Sequence, residues 1–319
     1  MVTIDLSQMD LSAKKCQVEA ARGSVLALPG GDLGALVVTG KDRVTWLNGL
    51  MTCDLVKRAE GEARYGLVVL RNGRVLSDAT VVVDETRAFV VLPASLVETV
   101  RAHLDHYLVM EDATVDARAD AFEVWTLHGP RSGDVLAAAR AAGGVGAIID
   151  RTGLGGAVVL IPEGRTAEVR EALGRAVVAA GGVTGDEGGW EALRLERGVA
   201  RFGVDFDEKM YPQEASLEKV AVSFDKGCYL GQEVVCMLQM RGHVKRRLVP
   251  IVIDGDALPD RGAAVTDEGG AAVGEVTSAT TSPTLGKTVA LAMIKRAQAE
   301  RGQHVVVGGL RAEVVDRPA

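Results

Sequence analysis

Two runs of β-forming residues, Tyr65 to Leu70 and Val75 to Val83, are separated only by Arg71-Asn72-Gly73-Arg74. Asn-Gly tolerates the positive φ angles of a tight turn, so this spacing predicts an antiparallel hairpin and excludes an all-helical chain. A second hairpin is predicted where Ala79 to Val83 meets Ala88 to Leu92 across Asp84-Glu85-Thr86-Arg87. After Pro93, the residues Leu96, Val100, Leu104, Tyr107 and Leu108 recur at helical spacing, the pattern of an amphipathic helix laid on those strands. Two strand-then-helix units follow, Phe122 to Leu127 with Val135 to Ala142, and Ala157 to Ile161 with Thr166 to Ala180. Hairpins followed by such units read as α+β, with mixed sheets covered by helices. From Val244 the texture changes to short β runs spaced by Gly and Asp turns, Leu248 to Ile253 being the first, which predicts a small C-terminal β-barrel. The expected division is a body over residues 1–242, made of two interleaved lobes, and a barrel domain over 243–319.

Other stretches are less marked. Leu11 to Asp32 is mixed and punctuated by glycine, and no element is assigned there. Val44, Leu47, Leu50 and Met51 step at helical spacing behind Asp42, a candidate N-cap. Trp190 to Arg197 reads as a charged helix ended by Gly198. His103 and His106 lie three apart without a third ligand nearby, so they are assigned solvated or capping roles and no metal is expected.

Hydrophobic residues make up 47% and charged residues 25% of the 319, which is globular composition and excludes a disordered chain. The net charge of −7 disfavours broad nucleic-acid binding. Met1 to Asp10 lacks a basic stretch followed by an apolar one, and no apolar run approaches the length of a membrane span, so a cytoplasmic protein is expected. The four cysteines (Cys16, Cys53, Cys228, Cys236) form no C-x-x-C pair and are expected to be reduced thiols.

The densest stretch is Lys226-Gly227-Cys228-Tyr229-Leu230-Gly231-Gln232-Glu233, placed before the apolar run Val234, Val235, Met237, Leu238. It reads as a turn entering a helix or strand. A thiol beside Lys226 and near free backbone N–H groups has its thiolate favoured; the alternative is a small buried hydrophobe. The run resembles the K-G-C-[FY]-x-G-Q-E signature of YgfZ-type folate-binding proteins, a branch of the superfamily that includes the glycine-cleavage aminomethyltransferase, or T-protein. Trp46-Leu47-Asn48-Gly49 through Asp54 is similar to that superfamily's F-L-Q-G-x-x-T-x-D helix. Arg194-Leu195-Glu196-Arg197-Gly198 is similar to its R-L-E-x-G helix, and Gly274 to Ala292 to its G-x-V-T-S…S-P-x-L-G-K-x-I-A-L-A run.

The resemblance implies a T-protein-like fold and a cofactor that is tetrahydrofolate or a related reduced folate. It implies support of iron–sulfur proteins, with iron–sulfur clients or assembly proteins as partners. The alternatives are a folate-dependent aminomethyl or other one-carbon transferase and a tRNA-modification factor. By position in the motifs, Asp78 and Cys228 are the catalytic candidates. Tyr65, Asp78, Glu214, Lys226, Gly227, Tyr229, Gly231, Gln232, Glu233 and Arg241 are the folate-binding candidates. Tyr65 and Asp78 keep the thirteen-residue separation of the T-protein's Tyr and Asp, and Glu214, in the loop Pro212-Gln213-Glu214, takes the place of the acid that receives the pterin donors. Two positions depart from the patterns. Ser77 stands where the T-protein has an acid, and Met237 where the YgfZ pattern E-V-V-A-R has Arg. Anion binding then passes to Arg241, Lys245, Arg246 or Arg247, a basic cluster that is also the basis of an RNA reading.

Overall fold

The computed structural model describes residues 6–117 and 121–319. The chain starts with helix α1 (Leu6–Gly23) and strand β1 (Leu26–Pro29), then leaves β1 for a different sheet. That sheet holds β2 (Leu33–Thr39), β3 (Arg64–Val69), β4 (Val75–Val83), β5 (Ala88–Pro93) and β6 (Thr114–Ala117), ordered β3-β4-β5-β2-β6 and entirely antiparallel. Helices α2 (Arg43–Asn48) and α3 (Val97–Asp105) lie within this part of the chain. The chain then returns to the sheet of β1 with β7 (Phe122–His128), helix α4 (Ser132–Ala141), β8 (Val145–Ile148), β9 (Gly156–Pro162), helix α5 (Thr166–Ala179) and β10 (Val183–Thr184). Its order is β10-β1-β7-β9-β8. Helix α6 (Glu187–Glu196) follows, then irregular chain up to helix α7 (Gln232–Met240). Strands β11 (Arg246–Ile253), β12 (Ala264–Thr266), β13 (Ala272–Thr281), β14 (Thr288–Lys295), β15 (His304–Val307) and β16 (Leu310–Val314) close into a barrel, β11-β14-β13-β12-β15-β16.

Both predicted hairpins form. Gly73 at φ +77° makes the first turn, and Val97, Val100 and Leu104 turn the apolar face of α3 onto the strands. Two expectations are corrected. The stretch from Leu11, given no element, lies largely in α1. Its apolar face is thin, with Val18 and Ala21 packed on Ala192 and Leu193 of α6, and such small residues leave a weak periodic signal. Asp42 precedes α2, but its carboxylate does not cap that helix; it accepts instead from Asp112 N at 2.9 Å.

Two buried acids join the barrel to the body. Glu196, at the end of α6, accepts from Ser282 Oγ (2.5 Å), Thr284 N (3.0 Å), Thr284 Oγ1 (2.8 Å) and Arg22 Nη2 (3.0 Å). Asp205 accepts from Arg194 Nη1 (2.8 Å) through one oxygen and from Thr277 (2.6 Å) and Ser278 (2.5 Å) through the other. Consecutive strand residues normally face opposite ways, and both hydroxyls reach one carboxylate because β13 carries a bulge between Val276 and Ser278.

Arg194 is fully buried and pairs with Glu191 as well as Asp205. Arg194→Leu should therefore strand Asp205 as an uncompensated buried charge and cost about 3–5 kcal/mol in urea unfolding. A loss below about 1 kcal/mol would show that the neighbouring hydroxyls alone hold the acid.

Candidate functional site

The two sheets pack on each other through Val82, Phe89 and Val91 on one side and Val124, Val158 and Leu160 on the other. Adjoining that contact is a cavity of about 520 Å³. Its walls come from β1, β4, β5, β7, β9, the start of α6 and residues 199–204. A volume of this order suits a medium-sized organic ligand.

Tyr65 and Asp78 both line the cavity. Tyr65 pairs directly across from Thr80, and Leu67 across from Asp78, so these four side chains share one face of the hairpin. Tyr65 and Asp78 are thus diagonal neighbours, within reach for a side chain as long as Tyr. The Tyr65 hydroxyl donates to Asp78 Oδ2 at 2.9 Å. Asp78 Oδ1 hydrogen-bonds no other residue among those described. Asp78 lies inside β4, which starts at Val75, and is held at a paired position where the ladder fixes its direction. Ser77 points the other way, fully buried, its hydroxyl donating to Asp78 O at 2.8 Å. An acid at Ser77 would be forced into the core.

Arg151 completes this wall. Its guanidinium lies 3.4 Å from the centre of the Tyr65 ring. The turn that carries it is fixed by Asp150, whose carboxylate accepts from Thr152 N (3.0 Å), Gly153 N (2.7 Å) and Gly155 N (3.0 Å). Removal from bulk water raises the Asp78 carboxyl above its usual range, and Arg151 and the Tyr65 hydrogen bond pull it back. Burial, followed by Arg151, pushes the His128 imidazole down to about 4, so it is neutral at pH 7. His128 stacks on Trp190, 4.6 Å between ring centres and 20° from parallel. At the mouth, Arg201 binds Asp32 (2.9 Å), Glu187 and Glu191 (3.2 Å), and Asp186 is spent capping α6 through Gly189 N. Sequence reading missed Arg151, His128, Trp190 and Arg201 as site residues. The one signal was an Arg between Asp150 and Thr152-Gly153 in a glycine-rich turn.

The densest motif lies behind this wall and does not line the cavity. Lys226 donates to three backbone carbonyls, Asn48 (2.6 Å), Met51 (2.8 Å) and Cys53 (2.6 Å). Burial pulls its pKa down to about 8, yet three acceptors need the three protons that only the ammonium supplies. Tyr229 is buried in the same cluster as Tyr65 and Leu67. Gly231 has φ +78°, and a Cβ there would sit 2.5 Å from Leu70 O in the turn of the β3–β4 hairpin. Gln232 and Glu233 open α7, whose Val234 rests against Gly73 of that same turn. The motif thus braces the hairpin that carries Tyr65 and Asp78. Gly227 and Cys228 are exposed, and the Lys226 ammonium is directed at the carbonyls rather than held beside the Cys228 thiol.

Glu214 is also away from the cavity. Its carboxylate accepts from Tyr211 N (3.0 Å) and lies 3.3 Å from Arg246. Arg247 binds Glu218 at 2.5 Å, so two cations of the basic cluster are met by acids, while Arg241, at the end of α7, is exposed along with Met237. His103 and His106 both set their rings edge-on to Tyr107.

Two family models match the chain: the GCVT N-terminal domain over residues 11–226 and the glycine cleavage T-protein C-terminal barrel domain over residues 246–319. The chain is 29% identical over 300 residues to an aminomethyltransferase of Chlorobaculum parvum, covering 86% of this chain and 80% of that protein. It is 30% identical over 297 residues to an aminomethyltransferase of Streptomyces coelicolor, covering 86% and 79%. The crystal structure of the glycine cleavage system aminomethyltransferase T from Bartonella henselae has the same fold, with a TM-score of 0.81 and 21% identity over 96% of this chain and 89% of that one. No helix among the described residues is long and apolar enough to cross a membrane.

Two outcomes follow from these contacts. Lys226→Met keeps the methylene stem but leaves three carbonyls without a donor, and should cost on the order of 3 kcal/mol in denaturant unfolding. For Asp78, the native state holds the carboxyl proton more tightly than the unfolded chain, where the pKa is about 4. The stability it contributes therefore falls as pH rises from that value through the folded one, and stays low above it. Asp78→Asn, which does not titrate, should accordingly be more stable than the parent at pH 7, with the difference vanishing towards pH 4; paired urea unfolding curves at the two pH values measure it.

Proposed function

The chain belongs to the glycine-cleavage T-protein family, and from that premise we propose that it binds a reduced folate in the cavity and uses Asp78 as the proton acceptor for one-carbon transfer. The observation that carries this reading is the Asp78 carboxylate, which lines the cavity and is held by Tyr65. The residues present fit the ligand. A carboxylate and a guanidinium on one wall of the cavity suit a ring system that offers both amine donors and a carbonyl acceptor, as a reduced pterin does. Leu28, Leu33, Leu92 and the Trp190–His128 stack give the apolar and aromatic surface that a flat ring needs. Tetrahydrofolate supplies ring and bridge nitrogens that accept a one-carbon unit. This chain supplies a fixed base, a dry wall and an orienting hydroxyl. Asp32 and Glu187 are ion-paired with Arg201, whereas Asp78 makes no ion pair among the described residues and has the Tyr65 hydroxyl as its side-chain hydrogen-bond partner.

A second reading, support of iron–sulfur proteins, draws on the exposure of Cys228 just ahead of α7. Cys53, by contrast, is buried and its thiol is pushed up to about 11, which keeps it inert. In cells lacking the protein, failure of Cys228→Ser to restore iron–sulfur enzyme activities, with folate binding intact in the purified variant, would favour this reading over the transferase.

Titration calorimetry with tetrahydrofolate, 5-formyl-tetrahydrofolate and folic acid tests the ligand, and turnover of an aminomethyl donor tests the chemistry. Asp78→Asn should keep tetrahydrofolate affinity within about tenfold while transfer falls by about 10²–10⁴, the range of a lost general base. Transfer that survives the substitution removes Asp78 from the role.

A further inference from the structure

Arg151 differs from Arg201, the other arginine of the cavity, in how it is held. Arg201 meets Asp32, Glu187 and Glu191. Arg151 makes no ion pair among the described residues and is kept in place by the Asp150 turn and by the face of Tyr65. The ring it covers is the one whose hydroxyl donates to Asp78. A half-buried guanidinium without an ion-pair partner is costly to keep. The guanidinium sits over the ring whose hydroxyl meets Asp78, and both Asp78 and His128 line the same cavity.

We propose that Arg151 is the positioning residue of this cavity, its guanidinium holding Asp78 as a carboxylate and His128 as a neutral imidazole before any ligand enters. Burial works against the Asp78 carboxylate, and the groups that bear on it include Arg151 from the turn after β8, Tyr65 from β3, its own backbone N–H and Asp32 from the turn after β1. Of these, Arg151 acts most strongly in favour of the charged form, Tyr65 adds to it, and Asp32 opposes it. On His128, Arg151 works with burial against the charged form, and Asp150 works the other way. One cation thereby gives the cavity a base without a second cation beside it. The inference rests on the proposed function only in taking Asp78 to be the base.

The test separates this role from simple packing by the sign of its effect. Aspartate carboxylates and histidine rings of the full chain are labelled with ¹³C and titrated by NMR without ligand, with Asp78→Asn and His128→Gln assigning the signals. Removal of a nearby opposite charge should move the Asp78 midpoint up by about 1 unit or more in Arg151→Leu, less in Arg151→Lys. The His128 midpoint should rise as well. Loosened packing would instead admit water and move Asp78 down towards its ordinary value. An Asp78 midpoint that stays or falls overturns the proposal, and Arg151→Gln repeats the measurement if the Leu variant does not fold. Tetrahydrofolate titrations form the second arm. Weakened binding by Arg151→Leu at pH 6 that recovers by pH 8 agrees with action through Asp78, and a loss equal at both pH values means that Arg151 acts on the ligand directly. Absence of folate binding in every form defeats the proposed function, while the NMR midpoints still decide the role of Arg151.

Discussion

The carboxylate of Asp205 is the contact on which three parts of the molecule converge. One oxygen takes Arg194 from α6 and the backbone N–H of Arg201; the other takes Thr277 and Ser278 from the barrel. Burying a charge is costly unless it is paired and its lone pairs are filled, and here both conditions are met. The cavity depends on this arrangement because α6 supplies Glu187 and Trp190 to its wall, while residues 199–204 supply another side. Glu196 repeats the device two residues beyond Arg194, gripping Ser282 and Thr284. The R-L-E run of α6 and the V-T-S and S-P-x-L-G-K runs of the barrel, far apart in sequence, are two halves of one interface.

The hairpins were legible because Asn72-Gly73 and alternating β-formers are local signals, and a paired ladder then places Tyr65 diagonal to Asp78 without further information. The barrel was legible for the same reason. Helix α1 was not, since its buried face is made of Val18, Ala21 and the polar Gln17. The site was half legible. Asp78 was marked by motif position and its spacing from Tyr65, but Arg151 owes its place to a glycine-rich turn and to a contact between separate sheets, which no local pattern encodes. Glu214, the loop acid that motif position assigns to a pterin, is engaged by its own turn and by Arg246.

The eight-residue motif around Cys228 divides its labour. Lys226, Tyr229 and Gly231 face inward and brace α2 and the hairpin, whereas Gly227 and Cys228 face solvent. A sequence signature can thus be dense because it serves two surfaces at once. Substitutions at Lys226 and Gly231 reach the cavity through the position of β3 and β4, while those at Cys228 leave that route untouched.

The path of β1 governs when such a cavity can come into being. Strands β2 to β6 are contiguous in the chain and can pair as soon as residue 117 has been made, so Tyr65 and Asp78 can meet early. Strand β1 pairs with β7 and with β10, Leu26 standing opposite both His128 and Val183. Its sheet, and with it Arg151 and His128, must wait until most of the body has left the ribosome. During synthesis the acid is therefore assembled first and its counter-charge arrives later, when a loop of about half the chain is closed by a four-residue strand.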